Sequence, residues 1–401
     1  MVTARTMERH RAWQGPAVLS FGFRPFFLLG AIWAAAAMVL WIAMLSGRLA
    51  LPTAFDPVSW HAHEFLFGYL GAIIAGFLLT AVPNWTGRLP VTGWALGGLV
   101  VLWIAGRLTV SVSQFLDPIA VAAADLAMLL VLAVLLGREI VVGKNWRNLP
   151  VVGLLVVFCL ANGLFHWEAA TGTFAAQGYG LRLGLGAAVL MIALIGGRIV
   201  PSFTRNWLAK RGEGRLPVPP MQVFDKIALA GLLAAVLCWL VKPDALVTAV
   251  LLAIAGVLHL VRLMRWAGDR TGAEPLVFVL HAGYIFIPLG ALAGAAETLG
   301  YGFVGAGTAQ HLWMAGGIGL MTLAVMTRAT LGHTGRELTA GGGTVALYLA
   351  VGIAVAARLM AGIWPGHALL LHGVSGAAWI AAFGGFAGLY GPLLLRPRKT
   401  G

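Results

Sequence analysis

The chain has 401 residues, of which 60% are hydrophobic and only 10% are charged. A soluble domain carries roughly 25% charged residues, so a water-facing surface cannot be assembled from this sequence and lipid must cover much of it. The formal net charge of +13 belongs on the cytoplasmic loops of a membrane protein, and no nucleic-acid-binding module accompanies it, so the expected partner is the bilayer and not a nucleic acid. Cys159 and Cys238 both lie in apolar runs and form no CxxC, which excludes a c-type haem attachment and a cysteine zinc site.

The N-terminus is basic, with Arg5, Arg9 and Arg11. The first apolar run begins near Pro25 and continues for about 22 residues, longer than the core of a signal peptide, so it is expected to be a retained helix. A spanning helix needs about 20 apolar residues. Runs of this kind begin near Pro25, Trp60, Gly93, Pro118, Leu149, Gly178, Val223, Asp244, Pro275, Thr308, Thr344 and His367. They predict an all-α, polytopic bundle of about 12 transmembrane helices forming a single transmembrane domain. The longest gap, 201–222, holds Arg205, Lys210, Arg211 and Arg215 and reads as a loop. With the N-terminus inside, 22 of the 27 Lys and Arg fall on the cytoplasmic side, against Arg48 and Lys242 outside. That asymmetry predicts a multi-pass membrane protein with both termini cytoplasmic.

An internal repeat follows the same frame. Residues 63–88 align with 311–336 without a gap and share His63, Gly68, Gly71, Ala81, Thr86, Gly87 and Arg88 with their counterparts. The same stretch aligns with 181–206, matching at Val200, Pro201 and Thr204 among others. These are the second, tenth and sixth runs, which suggests three four-helix units at about 20–137, 149–263 and 275–395.

Ten histidines in so apolar a chain call for a function, because an intramembrane ionisable residue is costly. In the expected topology His61, His63, His166, His311, His367 and His372 lie toward the periplasmic face. Neutral imidazole is the commonest metal ligand, so this group is the expected metal or haem site, with His61, His63, His311, His367 and His372 as candidate ligands. His61 and His63 stand two apart, about 200° around a regular helix, and cannot share a centre; Glu64 falls on the face of His61. His259 and His281 lie toward the other side and form a rival site. Arg107, Arg182 and Arg358 fall within runs on the periplasmic side, where a guanidinium can hold a haem propionate by paired hydrogen bonds or snorkel to the interface. Asp125, Glu168 and Glu297 are the sparse acids, expected to pair with those arginines. His63 and His311 occupy equivalent repeat positions and are the expected haem ligands, with Gly68, Gly71, Gly316 and Gly319 leaving room for a flat macrocycle. Twelve spans with repeats and a proline inside one run, Pro288, also suit a secondary transporter of a small anion or metal.

Several stretches carry a family resemblance: FRPFFL from Phe23, WHAHE from Trp60, GFLLTAVPNWTG from Gly76, PSFTRNW from Pro201 and MTRATLGHTGR from Met326. They resemble the NnrS family over most of the chain. The resemblance implies an inner-membrane protein that binds haem, expected here to be b-type, and copper, and that takes part in the response to nitric oxide, in nitrosative stress and in denitrification. Nitric oxide or another small ligand is the implied partner, and the electron donor is left open. The arrangement is also similar to the catalytic subunit of haem-copper oxidases, with histidines on the second and tenth helices. Here the sixth and seventh runs carry no histidine, so a copper like that of the oxidases would need other ligands, such as His61, His367 or His372. An open axial position would suit binding of nitric oxide and bis-histidine ligation would suit electron transfer; the sequence leaves both open.

Overall fold

A computed structural model of the chain describes residues 13–301 and 307–397. Twelve helices are long and apolar enough to cross a membrane: α1 (Phe23–Leu45), α2 (Pro57–Thr86), α3 (Trp94–Ser111), α4 (Pro118–Val142), α5 (Trp146–Ala170), α6 (Tyr179–Leu208), α7 (Val223–Val241), α8 (Leu246–Met264), α9 (Pro275–Thr298), α10 (Ala309–His333), α11 (Gly342–Ile363) and α12 (Pro365–Leu395). No strand occurs among the described residues. The protein is therefore an all-α, multi-pass membrane protein, and each helix starts within a few residues of the run that predicted it. His10, in the N-terminal tail, lies outside the described residues.

Local chemistry sets the helix ends. Asp56 caps α2 by accepting from Val58 N and Ser59 N, and Asp117 caps α4 by accepting from Ile119 N and Ala120 N. A proline at the first turn follows each cap, where its missing N–H costs nothing. Glu168, at the end of α5, accepts from Tyr179 N and Gly180 N and so caps α6. One expected boundary moves. The gap expected from Pro201 begins only after Leu208, because α6 runs through the proline. Ser202 and Thr204 bond back to the Arg198 and Val200 carbonyls, and Val200 and Thr204 are fully buried, so packing carries the helix past the lost hydrogen bond.

The chain forms two compact units. The first comprises the described residues up to Gly184, with Ala329–Glu337 and those from Phe383 on. In it α2 is the most enclosed span, and Arg24 of α1 donates to the carbonyls of Leu393, Leu394 and Arg396 at the end of α12. The second comprises the described residues of Leu185–Arg328 with Leu338–Ala382. Its buried polar centre joins α7, α8 and α9: Arg262 donates to Asp225 and to the Tyr284 hydroxyl, which meets Nδ1 of His259 at 2.8 Å.

Two helices depart from α geometry in a way the hydropathy pattern does not reveal. In α2 the backbone widens into π turns over Glu64–Tyr69, directly after His63; in α10 it does so over Leu312–Leu320, directly after His311. Such widened turns concentrate at functional sites. In α9 the helix is interrupted at Ile285, one turn before Pro288, which cannot donate the bond its position requires.

Candidate metal centre

Three helices of the first unit converge on one buried group. His63 comes from the first turns of α2, Asp125 from the first third of α4 and His166 from the last turns of α5; they are 0%, 4% and 6% exposed. One oxygen of Asp125, Oδ2, lies 3.2 Å from His63 Nε2 and 3.1 Å from His166 Nε2. The three ligand atoms all lie within 4.8 Å of one another. Donors about 2.1 Å from a metal are separated by about 3.0 to 3.4 Å when they are neighbours in its shell, so two of the three spacings already match coordination. The group is able to hold a metal ion.

The atoms around it orient these donors. His63 Nδ1 donates to Glu64 Oε1 at 3.0 Å, which turns Nε2 toward Asp125. A carboxylate on the far nitrogen of a ligating histidine is the usual outer partner in metal sites. Asn162 donates through Nδ2 to Asp125 Oδ2 at 2.8 Å and so presents its own oxygen, Oδ1, to His63 Nε2 at 3.0 Å. With Nδ1 carrying the proton, the lone pair of Nε2 and two oxygens that cannot donate face one another, and either a second proton on the ring or a metal cation between them satisfies all three.

Charge points the same way. Arg107 of α3 donates to both oxygens of Glu64, at 2.6 and 2.7 Å, and also to Asp125 Oδ1. Two buried carboxylates thus share one guanidinium. A buried charge needs a partner, and with neutral histidines the cluster is one positive charge short. Trp33 adds a hydrogen bond to Glu64 at 2.7 Å, and the rings of Phe55, Phe67 and Phe165 surround His63 with centroids 5.2 to 5.4 Å away. The set fits a single small ion.

A family model described as NnrS protein matches residues 17–398. The chain belongs to the NnrS family. No curated protein and no solved structure matches it significantly.

In this NnrS-family chain the other residues singled out in the sequence distribute as follows. His61, half-buried, stacks on Trp41 at 4.4 Å and faces Phe65, away from the metal group. Arg182 donates to the Gln177 carbonyl and lies over the Tyr179 ring. In the second unit His311 donates from Nδ1 to the Gly307 carbonyl at 2.7 Å, and Arg358 and His372 are its electrostatic neighbours. His367 is exposed at the start of α12. His259 bonds to Tyr284 and Ala228, while His281 bonds to Thr204, so these two belong to separate networks.

Two sequence expectations change. Glu64 does not stand with His61; its carboxylate joins the His63 cluster, and the helix widens from that residue on. The space beside the four glycines is filled by protein: a side chain at Gly68 would strike Arg107, at Gly316 the Phe286 ring and at Gly319 the Trp379 ring, and Gly71 faces Leu129. Asn162 was not among the sequence candidates, since an asparagine in an apolar run carries no metal pattern of its own. The sequence groups His166 with the one-sided histidines without marking it as a ligand, and it pairs Asp125 with an arginine, which Asp125 does engage.

Proposed function

We propose that this NnrS-family chain is a haem- and copper-containing protein of the bacterial inner membrane, with both termini cytoplasmic, that serves the response to nitric oxide, nitrosative stress and denitrification. The observation that carries the reading is the buried His63–Asp125–His166 group, short of one positive charge when its histidines are neutral. Copper suits it: imidazole nitrogens and a carboxylate are established donors for this metal, and one cation there meets the unmatched charge. His63 would present Nε2 with Glu64 fixing the ring, Asp125 would supply Oδ2 and His166 Nε2. For the haem, His311 would be the ligand, since its Nδ1 is already committed to a carbonyl as in many ligating histidines and Arg358 and His372 are its electrostatic neighbours; Phe286 and Trp379 would have to yield the space beside Gly316 and Gly319. When bound, these groups supply one-electron chemistry and a binding position for a small ligand. The equal placement of the π turns, each starting one residue after His63 and His311, supports the reading of repeated four-helix units.

The test is metal and haem content of purified protein with a reduced-minus-oxidised spectrum. Copper should fall in His166→Ala and persist in His61→Ala, while the haem band should be lost in His311→Ala. Protein that inserts stably yet holds neither metal nor haem would overturn the reading. The interruption of α9 at Ile285 favours a second reading, a transporter of a small anion or metal; a spectrally silent protein that moves its cargo across vesicles would establish it.

A further inference from the structure

The metal group is closed on the side of its helix ends. Phe55 sits over it, 5.2 Å from the His63 ring and 5.4 Å from the His166 ring. Phe55 is itself buried, and its segment is pinned: Thr53 and Ala54 both bond to the Ser113 hydroxyl. A groove of about 480 Å³ runs along α4 and α5, lined by Leu126, Ala133, Cys159, Gly163 and Trp167 among other apolar residues. Groove and metal group share these two helices at successive positions: Leu126 follows Asp125, Gly163 follows Asn162 and Trp167 follows His166. Gly163 presents no side chain, and a Cβ there would meet only Leu126 Cδ1, at 3.6 Å. Leu126 is thus the side chain that packs beside Gly163 where α4 and α5 meet at the groove.

We propose that the metal group is reached sideways from the bilayer, between Leu126 and Gly163, and that its ligand is a small uncharged molecule soluble in lipid. The proposal rests on the reading that His63, Asp125 and His166 hold a metal. An ion taking this route would shed its water against a lining with almost no polar surface to replace it, whereas a molecule of two or three atoms would pass by displacing Leu126 from Gly163, and side-chain rotations are fast. The gate separates two states without touching either, so a change in it alters arrival and departure equally and leaves the equilibrium alone.

The experiment is stopped-flow binding of nitric oxide to metal-loaded protein in lipid nanodiscs, following the absorption of the metal at the His63–Asp125–His166 group at wavelengths away from the haem band, with azide as a charged probe. Wild type is compared with Leu126→Ala and Gly163→Leu at equal metal content. Leu126→Ala should speed both association and dissociation of nitric oxide severalfold and Gly163→Leu should slow both, with Kd unchanged and azide rates the same in all three. If Gly163→Leu does not hold metal, Leu126→Ala decides alone. Metal-loaded variants with nitric oxide rates equal to wild type would overturn the route, as would an azide rate that follows the gate. Wild-type protein without metal at these residues would remove the reading beneath the proposal, a failure distinguished by metal analysis before any rate is measured.

Discussion

Arg107 decides the charge balance of the buried cluster. Its guanidinium spans Glu64 and Asp125, two carboxylates that are 0% and 4% exposed. Removing one partner of a buried ion pair costs about 3–5 kcal/mol because the other charge is stranded. Arg107→Ala should therefore lower the melting temperature of detergent-solubilised protein sharply. Arg107→Lys should recover little, since an ammonium cannot fork between two carboxylates; full recovery would show that only the charge matters. Gly68 is tied to the same guanidinium, for a methyl group there would strike Arg107. Gly68→Ala should cost about 1–3 kcal/mol by overpacking, read in the same melt, whereas Gly163→Ala faces only ordinary contact and should be near neutral. At this scale the sequence was partly legible. His63 and Arg107 stand out because charged or ionisable groups are expensive in lipid. Asn162 does not, because its role depends on which helix it meets, and the mutual use of Asp125 by His63, Asn162 and His166 joins residues about a hundred positions apart or less that no spacing rule connects.

Helices were the most legible level, because length and hydropathy are properties of a single run and need no partner. The twelve spans start close to where the apolar runs begin, and α6 differs only in passing Pro201. The π turns in α2 and α10 were not legible, since they depend on how each helix packs: in α2 the widened turn lies entirely among buried residues from Glu64 to Tyr69. Helix caps provide a control for the site. Asp117→Ala removes both bonds to Ile119 N and Ala120 N and should cost about 1 kcal/mol without changing metal content, because the cap lies two turns before Asp125. A loss of metal equal to that of His166→Ala would mean that the group depends on the helix end as a whole and not on its donors.

For the molecule as a whole, charge asymmetry of the loops and membership of the NnrS family describe the same object: a multi-pass membrane protein matched by its family from residue 17 to residue 398. The topology makes its own prediction. Reporters fused to the C-terminus and to the 209–222 segment should both report the cytoplasm, and a reporter in the 171–178 segment the periplasm; a periplasmic C-terminus would contradict the orientation read from the charge asymmetry. What the family resemblance implies, haem and copper, reaches individual residues only through geometry, and the His63–Asp125–His166 group is where that geometry is tightest. The most direct test of it is X-ray absorption at the edge of the bound metal in purified protein. The account predicts a shell containing two imidazoles and one carboxylate oxygen, losing one imidazole in His166→Ala and keeping both in His61→Ala; a metal shell that is unchanged by His166→Ala, or that contains no imidazole, would contradict it.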